Sequence, residues 1–367
     1  MRILHIGKYY PPHFGGIERV NFDLVEGLNQ MGIQTDVLCF NDKPKNSIEE
    51  NTYKIYRSST LIKLKSTPFS ISMFFLLKKI HKNYDIIHLH LPNPTGAIVL
   101  QLVPFKGKIV LHWHSDIIKQ VYLKRIYNPF QKALLKKADQ IIVTSPPYLE
   151  GSTDLKDYKS KCTIIPIGID HTTTDANVLK TLKKSYQNKK VIFSLGRLIY
   201  YKGFDYLIDA ARELPNDFLI IIGGNGKLYQ SLKSKIQEQK LENKVILTGN
   251  IPPKEISAYY ELCDLFCMPS CERSEAFGIV QLEAMAFAKP IISTHIPYSG
   301  VSWINQHQIT GLVVPPKNSK ALADAIRAII SNPELAEKFG KNARERYISH
   351  FTSSKMIKKT MELYQSL

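Results

Sequence analysis

KVIFSLGRLIYYKGFDYLIDA, residues 190–210, opens with an almost unbroken apolar run, passes through a loop bearing Arg197 and Lys202, and enters a helical pattern at Phe204. A strand that is apolar along its whole length and is followed closely by a helix suits a parallel sheet covered on both faces. The same unit recurs along the chain. Strand patterns occur at 2–6 (RILHI), 35–40 (TDVLCF), 85–90 (DIIHLH), 108–113 (KIVLHW) and 140–144 (QIIVT). A second series is 190–196, 217–223 (DFLIIIG), 244–249 (KVILTG), 264–269 (DLFCMP) and 290–294 (PIIST). Helical patterns lie between most of them, so an α/β protein with two Rossmann-like, doubly wound parallel sheets is expected. The break is expected after IIPIGID (164–170), in the polar segment 171–176, and residues 319–367 read as consecutive helices.

At 367 residues the chain has room for two domains, each with its own core. Its 44% hydrophobic and 22% charged content excludes the disordered and collagen-like classes. Forty-nine Lys and Arg against thirty-two Asp and Glu leave a net charge of +17. That excess points to an anionic partner, whether nucleic acid, a membrane surface or a phosphorylated small molecule. Five cysteines without a framework spacing suggest a reducing compartment. Cys263, Cys267 and Cys271 recur every four residues where a helix gives way to a strand, and are expected as buried thiols rather than metal ligands.

The chain starts with a strand pattern rather than a signal peptide, and its most apolar run, 71–77, is too short to span a bilayer. The expected location is the cytoplasm, including the inner face of the cytoplasmic membrane. Residues 61–82 mix Lys63, Lys65, Lys78, Lys79 and Lys82 with Phe69, Ile71, Met73, Phe74, Phe75, Leu76 and Leu77. This is the pattern of a basic amphipathic helix lying on anionic lipid, or of a core helix with a lysine-rich solvent face.

Ligands of doubly wound sheets bind at the carboxyl ends of the strands. There, GKYYPPHFGGIERV (7–20) sets Gly15 and Gly16 just ahead of a helix, where free amides can approach a phosphate. It matches neither GxGxxG nor a P-loop, and the later IIGGNGKLYQ has Tyr229 where a third glycine belongs, so NAD binding and P-loop ATP hydrolysis are not expected. KIVLHWHSDI (108–117) puts His112 and His114 on the same side of a strand. With no third ligand at a suitable spacing a metal is not expected, and His114, nearer the loop, is the candidate to bond a substrate hydroxyl or phosphate. Arg197 and Lys202 combine a planar fork with a mobile point charge, a natural pair for a diphosphate. RSEAFGIVQLEAMAFAKP (273–290) carries Glu275 and Glu283 eight positions apart. A helix expected to begin near Gly278, one to two turns ahead of Glu283, offers its free N–H groups to an anion, and Pro290 stops it.

Together SLGRLIYYKG (194–203) and SEAFGIVQLEAMA (274–286) resemble the retaining glycosyltransferases of family 4, which have the GT-B fold. Gly15 and Gly16, the HSD at 114–116 and TGLVVPP at 310–316 match in order, and the resemblance covers essentially the whole chain. HWHSDI, IIVTSPPY, IPIGID and RSEAFGIVQLEAMA are most similar to bacterial mannosyl- or rhamnosyltransferases of polysaccharide assembly, including O-antigen, capsule and lipopolysaccharide.

The resemblance implies an acceptor-side domain over 1–170 and a donor-binding domain over 171–350 facing it across a cleft, with a helix at about 351–367 packing back on the first. It implies that Arg197 and Lys202 hold the donor diphosphate and stabilise the departing nucleotide, assisted by amides at Gly15, Gly16, Phe277, Gly278 and Ile279. Glu283 would then accept from the ribose hydroxyls, Glu275 from hydroxyls of the donor sugar, and His114 would contact that sugar. Tyr201 stands where many relatives carry an acidic residue, which leaves the Lys202 assignment intact. The implied reaction moves a hexose, with retention, from a nucleotide-sugar to a saccharide hydroxyl on a lipid-linked glycan, without a metal or other cofactor. A GDP-linked mannose or related deoxyhexose is the first-choice donor, and UDP-hexose or UDP-N-acetylhexosamine the alternative.

Three rival readings are weaker. A glycoside hydrolase built on Glu275 and Glu283 leaves Arg197 and Lys202 unexplained. A phosphorylase lacks an obvious pyridoxal-phosphate lysine segment. A basic nucleic-acid-binding protein is disfavoured because the lysines are dispersed and no RNA or DNA module is recognisable.

Overall fold

The computed structural model describes residues 1–13, 15–64, 67–117 and 121–367. The chain divides into two compact units, one of Met1–Gly168 with Ser353–Leu367 and the other of Ile169–Thr352. In the first, β1 (Arg2–Ile6), α1 (Gly16–Gln30) and β2 (Gln34–Phe40) precede β3 (Ser47–Glu50), β4 (Lys54–Ser58) and a separate hairpin of β5 (Ile62–Leu64) and β6 (Thr67–Phe69). Then come α2 (Ser72–Ile80), β7 (Ile86–Leu91), α3 (Pro94–Leu102), β8 (Lys108–Trp113), α4 (Val121–Lys137), β9 (Gln140–Val143), α5 (Pro146–Gly151) and β10 (Cys162–Ile164). The sheet order is β10-β9-β8-β7-β1-β2-β4-β3. All its pairs are parallel except β3 with β4, which is antiparallel.

The second unit contains α6 (Ala176–Ser185), β11 (Lys190–Leu195), α7 (Phe204–Ala210), β12 (Phe218–Gly223), α8 (Tyr229–Glu238), β13 (Val245–Gly249) and α9 (Ile256–Leu262). It continues with β14 (Leu265–Met268), α10 (Val280–Ala286), β15 (Ile291–Thr294), α11 (Val301–Ile304), β16 (Gly311–Val314), α12 (Ser319–Ile330) and α13 (Pro333–His350). Its sheet, β13-β12-β11-β14-β15-β16, is parallel throughout. The last helix, α14 (Ser353–Gln365), belongs to the first unit and packs on α1. A Cβ on Gly27 would lie 2.2 Å from Ile357, so the missing side chain is what lets the two helices approach.

The parallel arrangement follows from the strands themselves. All six residues of β7 and of β12 are buried, as expected for strands with both faces covered. In the second unit Leu207 and Ile208 of α7, Leu232 and Ile236 of α8, and Leu322 and Ile326 of α12 close over Ile192, Ile220 and Ile222. Local chemistry sets the helix starts: Asp175 accepts from the amides of Asn177 and Val178, Asn318 from Ala321, and Asn332 from Leu335 with Pro333 at the first helical position.

Residues 61–82 are not one helix. Pro68 lies in β6, and the helix is confined to Ser72–Ile80, because a proline cannot continue a helical hydrogen-bond ladder. Lys65 lies outside the described residues. The half-polar β3 and β4 were not among the expected strands, since SIEE and KIYRS carry no long apolar run.

Gly311 opens β16 with φ 158°, and a Cβ there would stand 1.8 Å from the carbonyl oxygen of Ile291 on β15. Gly311→Ala must therefore prise β16 from its neighbour. A loss on the order of 3 kcal/mol is expected, seen as a fall of several degrees in Tm. An unchanged Tm would show that the strand edge can yield.

Candidate active site

In the second unit the chain winds outward from β11 to β12 and β13, then returns to place β14 on the other side of β11. The crevice of such a sheet opens where the order reverses, at the carboxyl ends of these two strands. Both polar clusters of the unit lie there. After β11, Gly196 is packed beneath Lys202, whose Cε lies 3.4 Å from where a Cβ would stand. A short turn at Tyr200–Lys202 ends at Gly203, left-handed with φ 67°, where a Cβ would be 2.1 Å from the carbonyl oxygen of Pro269 after β14. That close approach joins the two loops, and the amide of Cys271 also donates to the carbonyl of Tyr201 (2.8 Å).

The join carries an ion pair. Lys202 Nζ lies 2.5 Å from Glu275 Oε2, with the two side chains 12% and 11% exposed, and Ser270 Oγ donates to the same oxygen (3.0 Å). Glu275 Oε1 has no hydrogen bond among the described residues, so only one of its two oxygens is engaged by the lysine and the serine. Arg197 is exposed and donates to Tyr201 Oη (3.2 Å). The glycines of the GGNG run serve packing: Cβ atoms on Gly224 and Gly226 would meet Gly196 O at 2.0 Å and Leu198 O at 2.4 Å.

The helix after the first glutamate begins later than its sequence suggests. Gly278 has φ 87° and stands outside α10, which starts at Val280, so Glu283 lies in the first turn rather than one to two turns inside. The amides of Gly278 and Ile279 donate to no acceptor among the described residues, whereas the Phe277 side chain is buried against Trp303 and Phe351. Glu283 Oε2 accepts from Tyr260 Oη (2.6 Å); burial, then the neighbouring carboxylate, push this phenol well above its ordinary range. Cys263, Cys267 and Cys271 are free, buried thiols.

The first unit has its own reversal, between β1 and β7. Gly15 is extended and precedes α1, which starts at Gly16 and carries Glu18 in its first turn. At the end of β8, Trp113 Nε1 and Ser152 Oγ both donate to Asp116 Oδ1 at 2.8 Å, and the Asp116 amide donates to Tyr148 Oη (2.6 Å). The aspartate of HSD thus pins the turn that follows His114.

The expectation that His112 and His114 lack a third partner is overturned. The β7–β8 register sets His90 opposite His112, and the β1–β7 register sets His5 opposite His88. All five imidazoles are buried, and His90 Nδ1 lies 3.0 Å from His114 Nε2. Burial lowers His5 and His114 to about 3, and burial followed by neighbouring rings takes His88, His90 and His112 well below 6.5. The clue in the sequence is the repeat of HLH and HWH on successive strands, but only strand pairing brings the two together.

A model of Glycosyltransferase Family 4 matches residues 14–173, and one of Glycosyl transferases group 1 matches 179–346. Over the whole chain and 99% of the relative, the protein is 35% identical to O-antigen chain mannosyltransferase C of Escherichia coli. It is 33% identical to D-rhamnosyltransferase WbpZ of Pseudomonas aeruginosa, over 96% of this chain and 93% of that one. The fold is shared with HepE of Anabaena in complex with UDP (TM-score 0.81, 21% identity, all of both chains). It is shared equally with sucrose-phosphate synthase of Thermosynechococcus elongatus (TM-score 0.80, 23% identity, all of this chain and 98% of that one). Two Rossmann-like units with these polar clusters at their strand reversals define a GT-B glycosyltransferase. The chain belongs to glycosyltransferase family 4.

The histidines make the first unit acid-sensitive. Their folded pKa values lie below the ordinary 6.5, so below that pH the unfolded chain binds more protons, and stability present above it is lost as pH falls. The unfolding midpoint is expected to drop progressively below about pH 6.5, while the five rings stay neutral in the folded protein down to about pH 5. Ring resonances that titrate near 6.5 without unfolding would contradict the buried array.

Proposed function

We propose that this glycosyltransferase moves a hexose, with retention at the anomeric carbon, from a nucleotide-sugar to a saccharide hydroxyl. A GDP-linked mannose or related deoxyhexose is the favoured donor, in keeping with the mannosyl- and D-rhamnosyltransferase names of its relatives. The observation that carries the reading is Lys202, locked by Glu275 at the reversal of strand order, with Arg197 on the same loop and unclaimed amides at Gly278 and Ile279. Two cations and two amides suit a diphosphate whose charge grows as the sugar leaves. In this reading no metal or other cofactor takes that role.

The bond from the anomeric carbon to the phosphate oxygen breaks, one to the acceptor oxygen forms on the same face, and the acceptor proton passes to the departing phosphate. Glu275 Oε1 holds a sugar hydroxyl, Glu283 the ribose, and His114 the sugar from the first unit, with Gly15 and Gly16 giving their amides to the phosphates. The alternative donor is a UDP-hexose or UDP-N-acetylhexosamine, as the UDP complex of the structural neighbour HepE suggests. When a panel of GDP- and UDP-sugars is offered with saccharide acceptors, GDP release from a GDP-sugar is expected, with an α-linked product from an α-linked donor, and UDP release from a UDP-sugar would favour the alternative donor. Lys202→Ala should lower turnover about 10²–10³-fold. Near-normal turnover in that variant would remove the lysine from the mechanism, and glycan hydrolysis without nucleotide would overturn the reading.

The acceptor in this proposal is a lipid-linked glycan, met at the inner face of the cytoplasmic membrane. Its support is an open apolar groove of 640 Å³ in the first unit, lined by Leu61, Ile62, Phe69, Ile71, Phe74 and Leu102. Exposed Lys63, Lys78, Lys79 and Lys82 lie on the same hairpin and on or just after α2, and Phe75 is 63% exposed. Apolar surface flanked by cations suits anionic lipid. No helix among the described residues is long and apolar enough to cross a membrane. The protein should float with phosphatidylglycerol vesicles and not with phosphatidylcholine vesicles, and the Ile71→Ser, Phe75→Ser double variant should bind several-fold less. Equal binding to both vesicles would remove the membrane from the proposal.

A further inference from the structure

The five buried histidines form connected hydrogen bonds that extend well beyond His114. His5 Nδ1 lies 3.1 Å from both Asn21 Oδ1 and His90 Nε2, and His90 Nδ1 lies 3.0 Å from His114 Nε2. On the other side His5 Nε2 lies 3.1 Å from Tyr364 Oη of α14, which also bonds His88 Nδ1, and His88 Nε2 lies 3.3 Å from His112 Nδ1. His112 Nε2 has no partner among the described residues.

We infer that this array is a one-way hydrogen-bond relay that fixes His114 as its Nδ1–H tautomer, with His90 the residue that positions it. Each neutral imidazole has one N–H and one lone pair. Asn21 Oδ1 can only accept, so the His5 hydrogen is on Nδ1, shared with His90 Nε2. His90 must then carry its own hydrogen on Nδ1 and donate it to His114 Nε2, which leaves the His114 hydrogen on Nδ1. In the other direction His5 Nε2 accepts from Tyr364, Tyr364 Oη accepts from His88 Nδ1–H, and His88 Nε2 accepts from His112 Nδ1–H. The chain ends in the lone pair of His112 Nε2. The reverse direction would place an N–H on His112 Nε2 and would require Asn21 to turn its amide nitrogen to His5, whereas Asn21 presents Oδ1 and its Nδ2 is the buried donor without a partner among the described residues.

The ring planes argue against a metal at the same place. His112 and His114 stack with centroids 4.0 Å apart and planes 14° apart, and His5 and His88 with centroids 4.3 Å and planes 18° apart. Lone pairs lie in the ring planes, so stacked rings do not aim at one ion as a tetrahedral site requires. His90 and His114, by contrast, have planes 12° apart at a centroid distance of 5.3 Å, which suits an in-plane N–H to N bond.

The inference rests on the proposed contact of His114 with the donor sugar and sharpens it. With Nε2 engaged, His114 offers a ligand an N–H and no lone pair. It holds a hydroxyl oxygen but cannot take a proton.

The test is the His114 tautomer in the intact, ¹⁵N-histidine-labelled protein, read from two-bond nitrogen–proton couplings and assigned with His114→Gln. Nδ1–H at neutral pH is expected, and Nε2–H overturns the relay. His90→Leu should release the ring to a mixed tautomer and lower kcat roughly tenfold, with the donor KM little changed. His90→Asn, which restores a donor near Nδ1, should recover most of both. Unchanged tautomer and rate in His90→Leu, or stoichiometric zinc binding that displaces the ring N–H signals, also overturns it. Full turnover in His114→Ala would instead sink the sugar contact, whatever the tautomer.

Discussion

A strand covered on both faces leaves its side chains no water, so any polar group it carries must find a partner inside the protein. This constraint organises both sheets. Through most of β11, β12 and β14 it is met by apolar residues, and charged chemistry is displaced to the carboxyl ends, where loops reach solvent. In β7 and β8 it is met differently. Histidines sit in the sheet interior, and each of the rings finds at least one neighbour on an adjacent strand or helix. The cost of burying imidazole is offset by the array as a whole, so no member can be removed without stranding another.

At the reversal in the second unit the same constraint acts on full charges. An ammonium and a carboxylate that are each about one-tenth exposed gain little by pairing over leaving both in water, because desolvation offsets much of the attraction. What the pair supplies is position. Gly203 permits the loop after β11 to touch the loop after β14, and the ion pair then crosses that contact, so the lysine is held before any ligand arrives. In the proposed transfer, preorganised charge of this kind would stabilise a developing anion without reorganising when the bond breaks.

The parallel sheets were legible because each buried strand is apolar along its length, a local property that needs no knowledge of its neighbours. The GT-B fold and family followed from motifs spaced along the whole chain. What escaped were features that depend on distant backbone or on φ. The left-handed Gly278 delays α10 by two residues, and Pro68 divides a segment whose composition alone looks helical. His5, His88 and His90 were visible as letters but not as partners, because strand register is not written in local spacing. Likewise Glu275 could be read as a ligand for a sugar, but its bond to Lys202 depends on how two loops close together.

α14 completes a unit from which it is separated by the whole of the second unit. Tyr364 closes the histidine array, and Ile357 fills the space left by Gly27. During synthesis the eight-stranded sheet therefore emerges first yet is among the last parts to be finished. Until residues 353–367 leave the ribosome, His5 and His88 lack their shared hydroxyl and α1 has an uncovered face. The first unit must wait in an incomplete state while the second folds, and a chain truncated before Ser353 would keep that vulnerability for its whole lifetime.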